Sequence, residues 1–419
     1  SVTTTKRTAV AKFKFNKSEI GSVIIGSGIN STTVKHAFVT KNSAKSCEGY
    51  AIGGDFCGSD TNYPLYFYAE FDRPSIDSRL WKKNKITTNK SVEGPNSGAI
   101  FTFDTSENKE VNYKISISYI SIDNAKMNMQ SENFGFIFQS YLSKNQACWN
   151  DKLGTIMVSN DDKDSLIQFY TSFYRSLIHP NIVSDVNGEY LGADFKIHNT
   201  SSGRNQYSSF SVWDTYRTQS QLLAWLFPKE SSDMVTSLID FAEQSGGYGR
   251  WILANIETGI MQGDPTPILI SNSYSFGATD FDVERAFKHM KNGATIPRLK
   301  SQDQEIRPYL EEYIRDGYTF ASMHLEYTSS DFAIAQFALN ALNNIEEYDF
   351  FLNRSKNWKN IYNPKINWLN SRYPNKKWKG INDDWREGTY KNYFWMVPYD
   401  LDGLIKKIGG RDIACLLYT

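Results

Sequence analysis

The stretch Val111-Asn112-Tyr113-Lys114-Ile115-Ser116-Ile117-Ser118-Tyr119 alternates apolar and polar residues with a period of two. Successive side chains of a strand point to opposite faces, so this pattern predicts a strand buried on one face. Residues 9–15 (AVAKFKF), 65–71 (LYFYAEF) and 99–103 (AIFTF) give three more candidate strands. Turn-forming clusters such as Glu93-Gly94-Pro95-Asn96-Ser97-Gly98 separate them. Many strands with intervening turns favour an antiparallel β-sandwich over a parallel α/β sheet.

The period changes after Asn124. Leu166, Phe169, Tyr170, Phe173 and Leu177 fall at i, i+3, i+4, i+7 and i+11, on one face of a helix. Met234, Leu238, Phe241 and Ala242 repeat the pattern, with Ser231 or Ser232 as the expected N-cap. Phe332, Ala335, Phe337, Ala338 and Leu342 mark another helix, and Leu401, Leu404 and Ile405 one near the end. Strands followed by helices predict an α+β, multidomain chain. We expect an N-terminal antiparallel β-sandwich over residues 1–124, a helical or irregular linker over 125–163, and a helical toroid over 164–419. The loops of such a toroid converge on one end and form a site there.

Composition narrows the function classes. The 419 residues carry 46 Lys and Arg against 46 Asp and Glu, so no net field draws in nucleic acid or anionic membrane. No apolar run approaches the ~18–20 residues of a membrane span. Aromatic residues make up 15% of the chain, which suits stacking on sugars, although core packing accounts for most of them. Cys47 and Cys57 lie close enough in sequence to pair, and no CxxC spacing points to zinc. Sequons beginning at Asn16, Asn30, Asn89, Asn199 and Asn353 permit a secretory route. Gly26-Ser27-Gly28 lies among strands and reads as a turn rather than a dinucleotide loop. The chain opens on Ser1-Val2-Thr3 as if in mid-strand, as a processed or partial chain would.

Two short blocks carry the chemistry. Ser211-Val212-Trp213-Asp214-Thr215-Tyr216-Arg217 and Ala254-Asn255-Ile256-Glu257-Thr258-Gly259 set indole, carboxylate, guanidinium and amide groups close together. A flat aromatic covers the apolar face of a sugar ring, while Asp, Arg and Asn bond its hydroxyls. Trp213, Asp214, Arg217, Asn255 and Glu257 are therefore candidate substrate-binding residues. Bland alternatives stand beside them: an Asp214–Arg217 ion pair within one helix, and Asn255 or Glu257 capping a turn. Glu387, after Asp383-Asp384-Trp385-Arg386, is the candidate general acid, expected to sit part-buried beside neighbouring carboxylates. The alternative is a solvated charged loop. His36, His179, His198, His289 and His324 show no metal-ligand spacing.

At these residues the chain resembles glycoside hydrolase family 92, the calcium-dependent inverting α-mannosidases. Residues 169–181 (FYTSFYRSLIHPN) are similar to that family's FYTxLYxxLLHPN helix. Residues 184–190, 211–217, 254–259 and 280–286 follow in its order, then Leu325-Glu326-Tyr327 with Asp331, and residues 395–400 (WMVPYD) against its WFVPHD. The resemblance implies a sandwich packed on an (α/α)6 helical barrel, present here in part. It also implies Glu387 as the acid of an exo-acting α-mannosidase that hydrolyses α-mannosidic bonds, such as α-1,2, with inversion. Calcium is the implied cofactor, mannose-containing glycans the implied partners, and a secreted or vacuolar–lysosomal location the implied setting.

The chain departs from the family where EGNxWQY becomes residues 387–393, EGTYKNY, with Thr389 and Lys391 substituted, and where Tyr399 replaces a His. The family's segments carrying the base and the metal ligands have no counterpart, and would lie beyond Thr419. Asp383 and Asp384 are too near the acid in sequence to reach the opposite face of the sugar. A catalytically inactive relative that binds mannose or serves as a structural protein is therefore the competing expectation. Another (α/α)6 glycosidase explains the fold without the ordered motifs.

Overall fold

The structure, a computed structural model, describes residues 1–16, 19–26, 33–59, 62–201 and 203–418. Ser27, Gly28 and the Asn30 sequon lie outside the described residues. By contacts the chain divides into one unit of Ser1–Ser208 with Ala254–Ile256 and a second of Ser209–Leu253 with Glu257–Thr419.

In the first unit the expected sandwich forms from strands β1 (Val2–Thr4), β2 (Thr8–Lys14), β3 (Ile20–Gly26), β4 (Thr33–Lys41), β5 (Ser46–Gly54), β6 (Asn62–Phe71), β7 (Asp77–Lys82), β8 (Lys85–Thr87), β9 (Ser91–Glu93), β10 (Ser97–Asp104) and β11 (Glu110–Ser118). Seven pair in the order β1-β2-β11-β6-β5-β4-β9 and four in the order β3-β10-β7-β8, with antiparallel ladders such as β11 on β2 and β10 on β3. Inward residues of both sheets, among them Val23, Ala69, Phe71, Leu80, Phe101 and Val111, make one core. The Phe71 ring lies 4.9 Å from both Phe101 and Phe103.

The strand that opened the reading differs in one respect. Tyr113 and Ile115 pack on the sandwich core as the alternation requires, but the polar face of β11 is buried as well. Helix α1 (Ile122–Ser131) covers it. Ser116 donates to the Ala125 carbonyl at 2.5 Å, Ser118 to Asp185 at 2.7 Å, and Lys114 Nζ to Asn133 at 2.9 Å. These three side chains each find a partner, so their burial without water is tolerated. Cys47 is buried in β5, Cys57 is exposed, and neither is bonded, so the pairing that their spacing allows does not form. Helix α2 (Phe138–Leu153) packs on β1 and β2. In α3 (Lys163–Ser176) Phe173 is buried, and Leu166, Phe169 and Tyr170 are half-buried beside exposed neighbours.

The second unit is helical: α4 (Val212–Thr215), α5 (Gln219–Leu226), α6 (Pro228–Ser245), α7 (Thr266–Ser275), α8 (Val283–Thr295), α9 (Leu310–Asp316), α10 (Ala321–Leu342), α11 (Ile345–Ser355), α12 (Tyr390–Tyr393), α13 (Leu401–Ile408) and α14 (Arg411–Tyr418). Helix α6 starts a turn earlier than Ser231 or Ser232 predicts. Pro228 takes its first position, where the missing N–H is no loss, and Ser232 instead bonds back to the Pro228 carbonyl. The long, largely buried α10 packs against α7, α8 and α11.

Connections alternate in length. α5 to α6, α7 to α8 and α10 to α11 are short, whereas the segments after α6, α8 and α11 are long. Antiparallel neighbours joined this way place the long segments, and the one before α5, at the same end of the bundle. Residues 211–217, 257–265, 296–309 and 356–400 therefore meet there.

Candidate active site

The segment 211–217 makes only one helical turn, α4. Asp214 bonds the Ser211 hydroxyl within that turn and is exposed. Arg217 lies beyond the turn, so the alternative of an Asp214–Arg217 pair within one helix does not form. Its guanidinium packs over the rings of Trp213 and Tyr216, 4.9 and 4.7 Å from their centroids. Its Nη2 reaches a different carboxylate, Glu326 Oε1, at 3.4 Å.

Glu326 sits on α10, and its side chain is 0% exposed. The Tyr216 hydroxyl donates to Oε2 at 3.2 Å. Burial pushes the carboxyl up to about 7, against the opposing pull of Arg217 and the hydrogen bond from Tyr216. The backbone of Gly263, at φ +81°, presses on the same residue: a Cβ there would stand 2.6 Å from the Glu326 Cβ. Only glycine suits both the left-handed conformation and that approach.

Glu387 belongs to the long segment after α11. Trp358, Ile361, Leu369, Phe394 and Val397 of that segment bury with Leu325 of α10 and Leu404 of α13 in one core. Local bonds fix the loop itself. Ser322 Oγ donates to the Asp384 carbonyl at 2.8 Å, Arg386 N–H to Ser322 Oγ at 3.3 Å, and Tyr393 OH to the Arg386 carbonyl at 2.7 Å. Asn382, Asp383, Arg386 and Glu387 of the charged run are exposed, as a solvated loop has them, and only Asp384 and Trp385 are half-buried. Asp384 pairs with Lys379 at 2.7 Å, and Asp383 accepts from the Gly380 N–H at 2.9 Å. Glu387 itself is exposed rather than part-buried, and its backbone is left-handed at φ 54°. That conformation costs a non-glycine residue about 1–2 kcal/mol, so the surrounding bonds must impose it.

Glu387 lines a cavity of about 860 Å³ together with Trp213, Tyr216, Arg217, Tyr393 and Trp395. The cavity runs on between α7 and α10, past Asn272, Phe332 and Gln336. Among the described lining residues Glu387 is the one carboxylate. The fold thus brings together Trp213, Arg217 and Glu387 from positions some 170 residues apart in sequence.

The other candidates lie elsewhere. Asn255 is 4% exposed and donates to the Gly192 carbonyl at 3.2 Å within the first unit. Glu257 is buried and accepts from the backbone N–H groups of Arg250 (2.9 Å), Trp251 (3.3 Å) and Gly259 (3.0 Å), closing its own loop. Burial pushes it up to about 7 despite Arg250. Asp331 is likewise structural: Arg307, Arg354 and Tyr313 surround it. The sequence assigned no role to Glu326, Tyr216, Tyr393 or Trp395. For Glu326 the signal was there, an acid between Leu325 and Tyr327 in a largely buried helix.

Residues 1–118 match the model of the glycosyl hydrolase family 92 N-terminal domain, and residues 124–415 that of the family's catalytic domain. This chain belongs to glycosyl hydrolase family 92. Solved structures agree with that membership. A family GH92 alpha-mannosidase from Bacteroides thetaiotaomicron superposes with a TM-score of 0.87 at 26% identity, over 97% of this chain and 56% of that one. Its complex with mannoimidazole matches with the same figures. A family GH92 inverting mannosidase from Bacteroides thetaiotaomicron VPI-5482 shares the fold with a TM-score of 0.88 at 23% identity, over 96% and 56%. No curated protein matches the chain. This family 92 chain therefore spans 56% of the length of those relatives. The resemblance implied calcium, yet among the described residues no group of three His, Cys, Asp or Glu side chains gathers to hold a metal ion. The side chains described here do not fit such a site.

Proposed function

We propose that this chain supplies the sandwich and the acid-bearing part of the barrel of an exo-acting α-mannosidase. It hydrolyses α-mannosidic bonds, such as α-1,2, with inversion. The observation that carries this is the convergence of Glu387 with Trp213 and Arg217 on one cavity. The family membership supports it, as does the relative whose complex with mannoimidazole superposes on 97% of the chain.

In this reading Trp213 covers the apolar face of the terminal mannose and Arg217 donates to its hydroxyls. Glu387 as the acid gives its proton to the glycosidic oxygen while the C1–O bond breaks. A water on the opposite face of the ring forms the new C1–O bond and gives up a proton to a base. Among the described residues lining the cavity no second carboxylate stands to serve as that base. Mannose-rich glycans are met on the secreted or vacuolar–lysosomal route, where we place the protein. Exposed Asn89, Asn199 and Asn353 are the acceptors to examine for attached glycan.

Linkage-defined α-mannobioses, incubated with calcium and with a chelator beside Glu387→Gln, test the proposal. Release of β-mannose by the wild type, lost in Glu387→Gln, supports it; no release by the folded, calcium-supplied protein refutes it. The single carboxylate on the described cavity wall favours a second reading, a mannose-binding relative without turnover. Saturable mannoside binding with no hydrolysis is the result that would select it.

A further inference from the structure

We propose that Glu326 is a positioning residue of the mannose site, a buried anchor that holds Arg217 and Tyr216 against the Trp213 platform. The inference rests on the reading of that cavity as a mannose site. Arg217 has a long side chain, 41% exposed, whose free rotamers must be lost before it can donate to a sugar in fixed geometry. Ordering such a side chain costs conformational entropy. Glu326 supplies the order beforehand, because its own position is over-determined. It is closed off from solvent on α10, pressed by the Gly263 backbone on one side, and bonded to Tyr216 on the other. Arg217 is then gripped twice, by its ion pair and by the two rings it packs over.

A carboxylate without solvent in a buried helix is expensive to keep. Packing alone would be better served by an apolar side chain. Here its partners are the residues that line the cavity, which ties its presence to the site. The groups that face it are Trp213, Tyr216 and Arg217 from the segment before α5 and Tyr393 from α12. Its ionisation near pH 7 gives the anchor a pH signature, since only the charged form grips the guanidinium fully.

The test measures binding of methyl α-mannoside by calorimetry in the Glu387→Gln background, with Glu326→Gln, Arg217→Met and both added. Glu326→Gln keeps the shape of the side chain and removes the charge. It should weaken binding about tenfold, in line with a lost charge-assisted bond. With Arg217 already gone, Glu326→Gln should add almost nothing, and additive losses would overturn the proposal. Affinity should rise with pH through about 7 when Glu326 is present and stay flat in Glu326→Gln. A pH limb that survives in Glu326→Gln would also overturn it.

Crystal structures of the protein and of Glu326→Gln without ligand read the anchor independently of any sugar. Displacement of Arg217 from the Trp213 ring in Glu326→Gln supports it, and an unmoved Arg217 refutes it even where mannosides bind. Displacement of Arg217 together with no mannoside binding by any form refutes the mannose-site reading and leaves the anchor standing.

Discussion

Replacing Asp331 by Asn tests whether the site end of the bundle is held by its buried ion network. Asp331 is 0% exposed and accepts four bonds: from Arg307 at 2.7 Å, from Arg354 Nε and Nη2 at 2.7 Å each, and from the Tyr313 hydroxyl at 2.8 Å. Arg307, also 0% exposed, has a second carboxylate in Asp264 at 2.8 Å. Burial alone would raise the Asp331 carboxyl, but Arg354 and Arg307 hold it below the usual range. Asn preserves the volume and removes the charge, and its NH₂ group is turned on an N–H or O–H donor. Arg307 then keeps Asp264, whereas Arg354 is left with no other carboxylate partner among the described residues. Breaking a buried pair of this kind costs about 3–5 kcal/mol. In a unit of about 150–250 residues that lowers the melting temperature by about 10 °C. Thermal and urea unfolding followed by far-ultraviolet circular dichroism measure it, with Glu243→Gln as the control. Glu243 meets Arg285 at the surface, the two side chains being 41% and 36% exposed, so its loss should stay within about 1 kcal/mol. An Asp331→Asn loss no larger than that control would refute the reasoning.

Glu387→Gln should lower kcat by about 10²–10⁴ with the fold intact, as removal of a general acid does; a fall of less than tenfold on linkage-defined mannobiosides would remove Glu387 from the role. Gly263→Ala forces a Cβ to within 2.6 Å of Glu326 at φ +81°. It should destabilise the helical unit by about 1–3 kcal/mol, and unchanged urea unfolding would show that the loop relaxes freely. The carboxyls of Glu257 and Glu326 are both raised from 4.5 to about 7, so the folded state holds their protons more tightly than the unfolded one. Their contribution is fully present below about pH 4.5 and is lost as pH rises through about 7. The loss is about 3 kcal/mol apiece, at about 1.4 kcal/mol per pH unit. Glu257→Gln should flatten stability against pH between 4.5 and 7, and an unaltered slope there would contradict the assigned cause.

The sequence by itself determined the two halves and their order. A period of two in residues 9–15, 65–71, 99–103 and 111–119, then 3.6 in residues 166–177 and beyond, follows from backbone geometry alone. Such geometry is written locally, as are turns such as residues 93–98. The ordered motif series likewise marked family 92 before any fold was visible. Tertiary structure decided the partners. The alternation in β11 could not show that α1 would bury its polar face too. Three-residue spacing suggested an Asp214–Arg217 pair, but α4 ends after one turn and Arg217 finds Glu326, 109 positions away in sequence. Asn255 and Glu257 looked like sugar ligands by type; in the structure Asn255 bonds the Gly192 carbonyl 63 positions away, and Glu257 accepts from N–H groups of its own loop. Hydrogen-bonding types can be read from a sequence, but which donor meets which acceptor depends on how helices and loops far apart in the chain pack, and packing is settled only when the whole core closes.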